Sequence, residues 1–375
     1  MLSGILFACV FQSVVLAAAL LATATNASAN RFLALTLAVL AGMMSVVVLG
    51  WTGREDVSPW LAFLPVNLPL ALGPALYGYI SGLVRDVAPD RRHFIPTAIL
   101  FAYLIALQLL PEATQVAWKE GAHDAAIKPL VEIATVISLA AYTVCGLRLL
   151  HSYRVWLTQQ RSDADRYAAP WIGRVMVALT ATTAALALVR IYTTFVGELD
   201  AGPLYLWFGT LSAWLGVEGW RQSDRRFPSM QSALAVEVLE AGGPDWAELG
   251  KRWRQEIQAG GWWRESDLTL AEVARRLGTN TTYFSRATNE GLDLNFNELI
   301  NRMRAEEVAR LIKEQAEPNF MQLAFDAGFS SKATFNRAFR AVHGVSPSDY
   351  RSRLKSQKSE VSPISEATTA STPGT

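Results

Sequence analysis

In "TTYFSRATN", with Phe284 taken as inward, Thr282, Ser285, Arg286 and Asn289 fall on one outward face at 100° per residue. In "KATFNRAFRAVH" the same construction turns Ala333, Asn336, Arg337 and Arg340 outward, with Lys332 just ahead of them. Hydroxyl, amide and guanidinium groups on a helical face are suited to recognition rather than bond breaking, since they meet phosphate oxygens and base edges. The placement of acids sharpens this. None occurs from Val273 to Asn289 or from Ala327 to Ser348, whereas the stretch 290–317 between them holds seven. No other residues suggest catalysis. His93, His123, His151 and His343 are scattered singly, and Cys9 and Cys145 sit in apolar runs as packing residues. The expectation is no catalytic residue, no metal and no cofactor.

Each outward face implies an inward one and a turn to hold it. Phe284 and Ala287 point in on the first segment, and Phe335, Ala338, Phe339 and Val342 recur at i, i+3, i+4 and i+7 on the second. A helix precedes each. Thr269 with Glu272 forms a capping box, with Gly278 at the turn, and Leu323, Ala324 and Ala327 lead to a second turn at Gly328. Upstream, "AGGP" breaks the chain before Asp245, which caps a helix with Trp246, Leu249, Trp253 and Ile257 on one side. That face is expected to pack on the domain that follows; a second copy of the chain is the alternative, which leaves a homodimer open.

The motifs "DLTLAEVARRLGTNTTYFSRATNEGLDLNFNELINRMRAEEVARLI" and "LAFDAGFSSKATFNRAFRAVHGVSPSDYR" make residues 262–355 similar to the DNA-binding domain of the AraC/XylS transcription regulators. The second is the more specific, with Gly328-Phe329, Phe335, Arg337, Phe339, Gly344, Ser346-Pro347 and Tyr350-Arg351 in family register. The resemblance covers about a quarter of the chain. It implies two helix-turn-helix units joined by one long helix, with double-stranded operator DNA as partner. It also implies groove-facing positions at Thr282, Ser285 and Arg286, and at Lys332, Ala333, Asn336 and Arg337. Two residues depart from the family pattern: Thr288 stands where a bulky apolar side chain is usual, and Ala333 where a polar one is common. The family's soluble arabinose-type sensor domain has no counterpart here.

The rest of the chain is of another kind. At 51% hydrophobic and 18% charged, the 375 residues are too apolar for one ordinary soluble fold. Seven apolar runs, roughly 2–24, 31–52, 59–84, 94–110, 129–150, 171–197 and 203–220, precede the charged half. The third carries Pro65, Pro69 and Pro74 and is expected to be a kinked helix. With the N-terminus outside, the inner loops hold twelve Lys and Arg against three outside, so the positive-inside rule selects N-out and C-in. A cleaved signal peptide ending at "ASA" is the lesser reading, because "MLSG" lacks a basic start. Arg190, deep in the sixth run, with Glu132 and Asn67, is the candidate site for sensing an unknown small-molecule or membrane signal.

The chain is therefore expected to be all-α: a seven-helix transmembrane bundle (1–222), an amphipathic helical linker (223–261), a cytoplasmic AraC-type double helix-turn-helix domain (262–355) and a disordered tail (356–375). Its expected location is a bacterial inner membrane, and its expected role a one-component regulator of transcription. The alternative is a membrane enzyme or transporter with a C-terminal regulatory or adaptor domain. Against it, the runs show no His-Asp pair, no Ser or Cys beside a base and no repeated Gly/Pro break in two halves; a retinal receptor is excluded because the last run has no lysine for a Schiff base.

Overall fold

The computed structural model describes residues 2–51, 63–197, 202–230, 245–315 and 317–361. Among these the regular elements are helices, with one isolated antiparallel bridge between Arg161 and Thr269. The chain forms two compact units. The first is Met1–Tyr153 with Ala169–Ala233; the second joins the short segment Arg154–Ala168 to Leu234–Thr375.

The first unit contains α1 (Leu2–Leu21), α2 (Ala27–Trp51), α3 (Leu72–Arg85), α4 (Ile95–Gln108), α5 (Glu112–Trp118), most of α6 (Lys128–Gln160), α7 (Pro170–Phe195) and α8 (Gly202–Gln222). Polar side chains face inward between helices. Ser13 and Ser212 share a 2.9 Å hydrogen bond from α1 to α8, and Thr143 and Thr180 one of 2.7 Å from α6 to α7. Gly82 lets α3 approach α2 closely, since a Cβ there would lie 2.9 Å from the Ala29 Cα. Large apolar side chains such as Phe7, Phe11, Ile99, Ile137, Leu188 and Phe195 are exposed instead. Among the described residues, four helical stretches, Ser3–Leu21, Ala27–Leu49, Glu112–Gln160 and Ala164–Thr193, are long and apolar enough to cross a membrane.

The remaining three runs form α3, α4 and α8, the first two with 14 residues each, short of the ~20 of a spanning helix. Over residues 63–84, the described part of the third run, the expected kinked helix is not continuous. Residues 64–68 are non-helical apart from a turn, a 3-10 turn covers Pro69–Ala71, and α3 starts only at Leu72. Pro65 and Pro69 have no N–H to give a helix ladder, whereas Pro74 lies in the first turn, where no N–H is needed.

The second unit holds α9 (Trp246–Gly260), α10 (Leu270–Arg276), α11 (Thr281–Asn289), α12 (Phe296–Glu314), α13 (Phe320–Asp326), α14 (Lys332–His343) and α15 (Pro347–Val361). All seven starts are capped in sequence, by Asp245, Thr269, Asn280, Asn295, Asn319, Ser331 and Ser346, each accepting from a backbone N–H of its own first turn. One continuous core runs through the unit, from Trp253 and Ile257 of α9 through Phe284 of α11 and Met303 of α12 to Phe335 and Phe339 of α14. Gly328 has φ +87°, and a Cβ on it would meet the Arg264 carbonyl oxygen at 2.3 Å, so the turn before α14 admits only glycine.

At the centre of this core is a charge. The Arg304 side chain on α12 is 1% exposed and donates to the Trp263 carbonyl at 2.7 Å, the Glu265 carbonyl at 2.6 Å, Asn301 Oδ1 at 3.1 Å and Ser162 Oγ at 3.1 Å. Burial pushes its guanidinium down to about 10, against the opposing pull of Asp163 and Asp267, so it stays protonated at neutral pH.

Candidate nucleic-acid interface

Two helix pairs in the second unit share one local design. After α10 the Thr279 N–H donates to the Ala274 carbonyl at 2.9 Å across Gly278 (φ +67°), and after α13 the Phe329 N–H donates to Ala324 at the same distance across Gly328. The turn fixes where the next helix begins. Asn280 then caps α11 and Ser331 caps α14 through the N–H groups of Tyr283 and Thr334. The long α12 lies between the pairs and packs on both α11 and α14.

On α14 the expected division of faces holds. Thr334, Phe335 and Phe339 are buried, while Lys332, Ala333, Asn336, Arg337 and Arg340 are all exposed. Aromatic contacts anchor the buried side, with Phe339 at 5.7 Å from Phe335 and 5.5 Å from Tyr350 of α15. Beside the exposed side runs an open groove of about 680 Å³, lined among others by Phe320, Met321, Lys332, Asn336, Arg337 and Arg340.

The face of α11 is less free. Phe284, Ala287 and Thr288 are buried, Thr282, Ser285 and Arg286 are half-buried, and Asn289 is exposed. Thr288 fits the core as a polar residue because its hydroxyl donates to the Ser285 carbonyl at 2.9 Å. Asn289 donates to Ser285 Oγ at 3.1 Å. Arg286 is engaged, with Nε 2.9 Å from Glu290 and its guanidinium 4.6 Å above the Trp246 ring. The stretch free of acids ends at Asn289, and the next residue folds back to neutralise the arginine.

Two further residues bear on this surface without having been singled out in the sequence. Asp165, in the segment Arg154–Ala168, has a carboxylate oxygen 2.5 Å from the Arg337 guanidinium and accepts from Thr334 Oγ1 at 2.8 Å. Arg304 ties the same segment to the core through Ser162. Neither has a local sequence signal: Arg304 lies amid the charges of α12, and Asp165 is far from α14 along the chain.

The residues considered for sensing lie in the first unit. Asn67 is half-buried in the non-helical stretch before α3, and Glu132 is half-buried near the start of α6. Arg190 belongs to α7, and its side chain, with the expected pairing to Glu132, lies outside the described residues.

Residues 273–353 match the model of a helix-turn-helix domain. They form a helix-turn-helix domain. Over 92 residues the chain is 28% identical to an uncharacterized HTH-type transcriptional regulator, YtdP, of Bacillus subtilis (strain 168), which is 24% of this chain and 12% of that protein. Over 85 residues it is 31% identical to an uncharacterized HTH-type transcriptional regulator of Staphylococcus aureus (strain COL), 23% of this chain and 11% of the relative. The chain thus spans only about an eighth of the length of the curated relatives it matches. Among solved structures, the C-terminal domain of AraT, a response regulator from Geobacillus stearothermophilus, is 32% identical, with 29% of this chain and 88% of that one covered at a TM-score of 0.26. The helix-turn-helix domain and the HTH-type relatives support a DNA-binding regulator.

Proposed function

We propose that this chain is a membrane-embedded, sequence-specific DNA-binding regulator of transcription. In this reading a signal arriving at the apolar unit governs an AraC/XylS-type domain that reads operator DNA. The observation that carries it is the exposed row of Lys332, Ala333, Asn336, Arg337 and Arg340 on the second helix of a helix-turn-helix pair. Arg and Asn there reach base edges in a major groove, Ala333 meets a thymine methyl, and Lys332 and Arg340 meet phosphates. Thr282, Ser285, Arg286 and Asn289 do the corresponding work on α11 once Arg286 exchanges Glu290 for a phosphate. The seven apolar runs form the bundle, N-terminus outside and C-terminus in the cytoplasm of a bacterial cell, and Glu132, Asn67 and Arg190 are the polar groups offered to the signal.

Chromatin immunoprecipitation of the intact protein tests the reading and supplies the duplex for the next measurement. On that duplex Arg337→Ala is expected to cost roughly 1 to 3 kcal/mol and to relax preference at one base pair. Arg310→Ala is the control, because Arg310 is held by Glu307 at 2.8 Å and Glu314 at 2.6 Å on α12. It should leave binding unchanged, and equal losses from the two substitutions would remove α14 from the interface. For the topology, a periplasm-active reporter fused after Gly121 and a cytoplasm-active one fused after Arg226 are both expected to be active. The reverse pattern would put the helix-turn-helix domain on the wrong side of the bilayer.

A further inference from the structure

The segment between α6 and α7 belongs to the second unit, and its manner of attachment is specific. Ser162, Asp163 and Ala164 are 0%, 1% and 4% exposed. The Ser162 N–H donates to the Leu268 carbonyl at 3.1 Å, Asn297 Nδ2 donates to the carbonyls of Arg161 at 3.0 Å and Ser162 at 2.8 Å, and Arg304 donates to Ser162 Oγ. These are geometrically directed bonds from α12 and from the residues just before α10, that of Arg304 buried and those of Asn297 half-buried. Beyond this seat the chain emerges at Asp165, whose carboxylate meets Thr334 and Arg337 on α14.

We propose that the segment Arg161–Asp165 is an intramolecular brake on DNA binding, in which the Asp165 carboxylate occupies Arg337 in place of a phosphate or base edge. The inference rests on the DNA-binding reading of α14. A carboxylate and a phosphate offer a guanidinium the same acceptor geometry, so one Arg337 serves one of them at a time. The carboxylate also places a negative charge in the middle of the row formed by Lys332, Asn336, Arg337 and Arg340, where it repels a DNA backbone. The strengths suit a reversible device. Side chains of the Arg337–Asp165 pair are 63% and 42% exposed, so the pair itself is weak, while the seat at Ser162 is buried and directional. The segment is continuous with α6 on one side and leads into α7 on the other, so a displacement of either helix pulls directly on the seat. Release of Asp165 then frees α14.

The test uses the full chain in lipid nanodiscs and a duplex enriched from a random pool by the Asp165→Asn protein. Asp165→Asn is expected to bind that duplex roughly three- to ten-fold tighter than wild type, as loss of an exposed pair and its repulsion implies. Arg337→Ala is expected to erase the difference. The deciding arm needs no substitution: in wild type, hydrogen exchange at the Ser162 amide should rise when the duplex is added, while α14 becomes protected. A Ser162 amide that stays protected on duplex-saturated wild type overturns the brake and leaves DNA binding intact. Failure of the duplex to protect α14 in either protein overturns both readings.

Discussion

Arg304→Met is expected to destabilise the second unit by roughly 3 to 5 kcal/mol, although it replaces a buried charge with an apolar chain of similar reach. Two effects oppose each other. Methionine escapes the desolvation of the guanidinium, which burial lowers to about 10 at a penalty of roughly 3 kcal/mol. Four acceptors, however, lose their donor: the carbonyls of Trp263 and Glu265, Asn301 Oδ1 and Ser162 Oγ. The Trp263 carbonyl and Asn301 Oδ1 are left unpaired at about 1 to 3 kcal/mol each, the Glu265 carbonyl and Ser162 Oγ keep only their bonds with Leu268, and Asp163 and Asp267 lose the positive charge they face, so the loss exceeds the gain. Arg304→Lys should not rescue the protein, because an ammonium cannot span four acceptors arranged around a planar fork. Hydrogen exchange in the reconstituted full chain is the measurement. Peptides within 262–315 should lose roughly two to four orders of magnitude of protection at 1.4 kcal/mol per tenfold. Retained protection would mean that the arginine is a passenger in the core.

The other large effect concerns the DNA. Inserting about five base pairs between the two half-elements of a natural site is expected to lower affinity by roughly 100-fold or more, towards the non-specific level. The reason is the shared core. Phe284 beneath α11 and Phe335 beneath α14 belong to the same buried cluster, and the 19-residue α12 packs on both helices. Half a turn of DNA therefore turns one half-element away from a protein that has no hinge to follow it. Inserting about ten base pairs restores the facing but adds about 34 Å of separation, and it too should fail. Recovery with the longer insertion would show that the two units move independently.

Much of this architecture was legible because it obeys local rules. The capping box at Thr269 and Glu272, the turn glycines at 278 and 328, and the 3.6-residue recurrence of Phe335, Ala338, Phe339 and Val342 each depend on neighbours within one turn. The helix after Asp245 followed the same logic, with Trp253 and Ile257 buried as its apolar face required. What escaped depends on distance along the chain. Arg304 looks like one more surface charge on an acid-rich helix until Trp263, Glu265 and Ser162 converge on it. Asp165 lies in a stretch of ordinary polar residues, and its partner on α14 arrives only after the second unit has folded. Arg286 is the same effect on a smaller scale, since Glu290, which holds it, sits one residue past the acid-free stretch. The proline run misled for a different reason: apolarity signals burial or lipid contact, but hydrogen-bond continuity decides whether a helix runs through it.

That one core carries both exposed helices also sets how such a protein would respond to its own abundance. A regulator that assembles two single-headed chains on a two-part site fills it with the square of its concentration when dilute. A chain with both heads already joined fills it in proportion to its concentration, because the second contact is made within one molecule. Occupancy of a two-part site would then follow a Hill coefficient of one in the concentration of the chain.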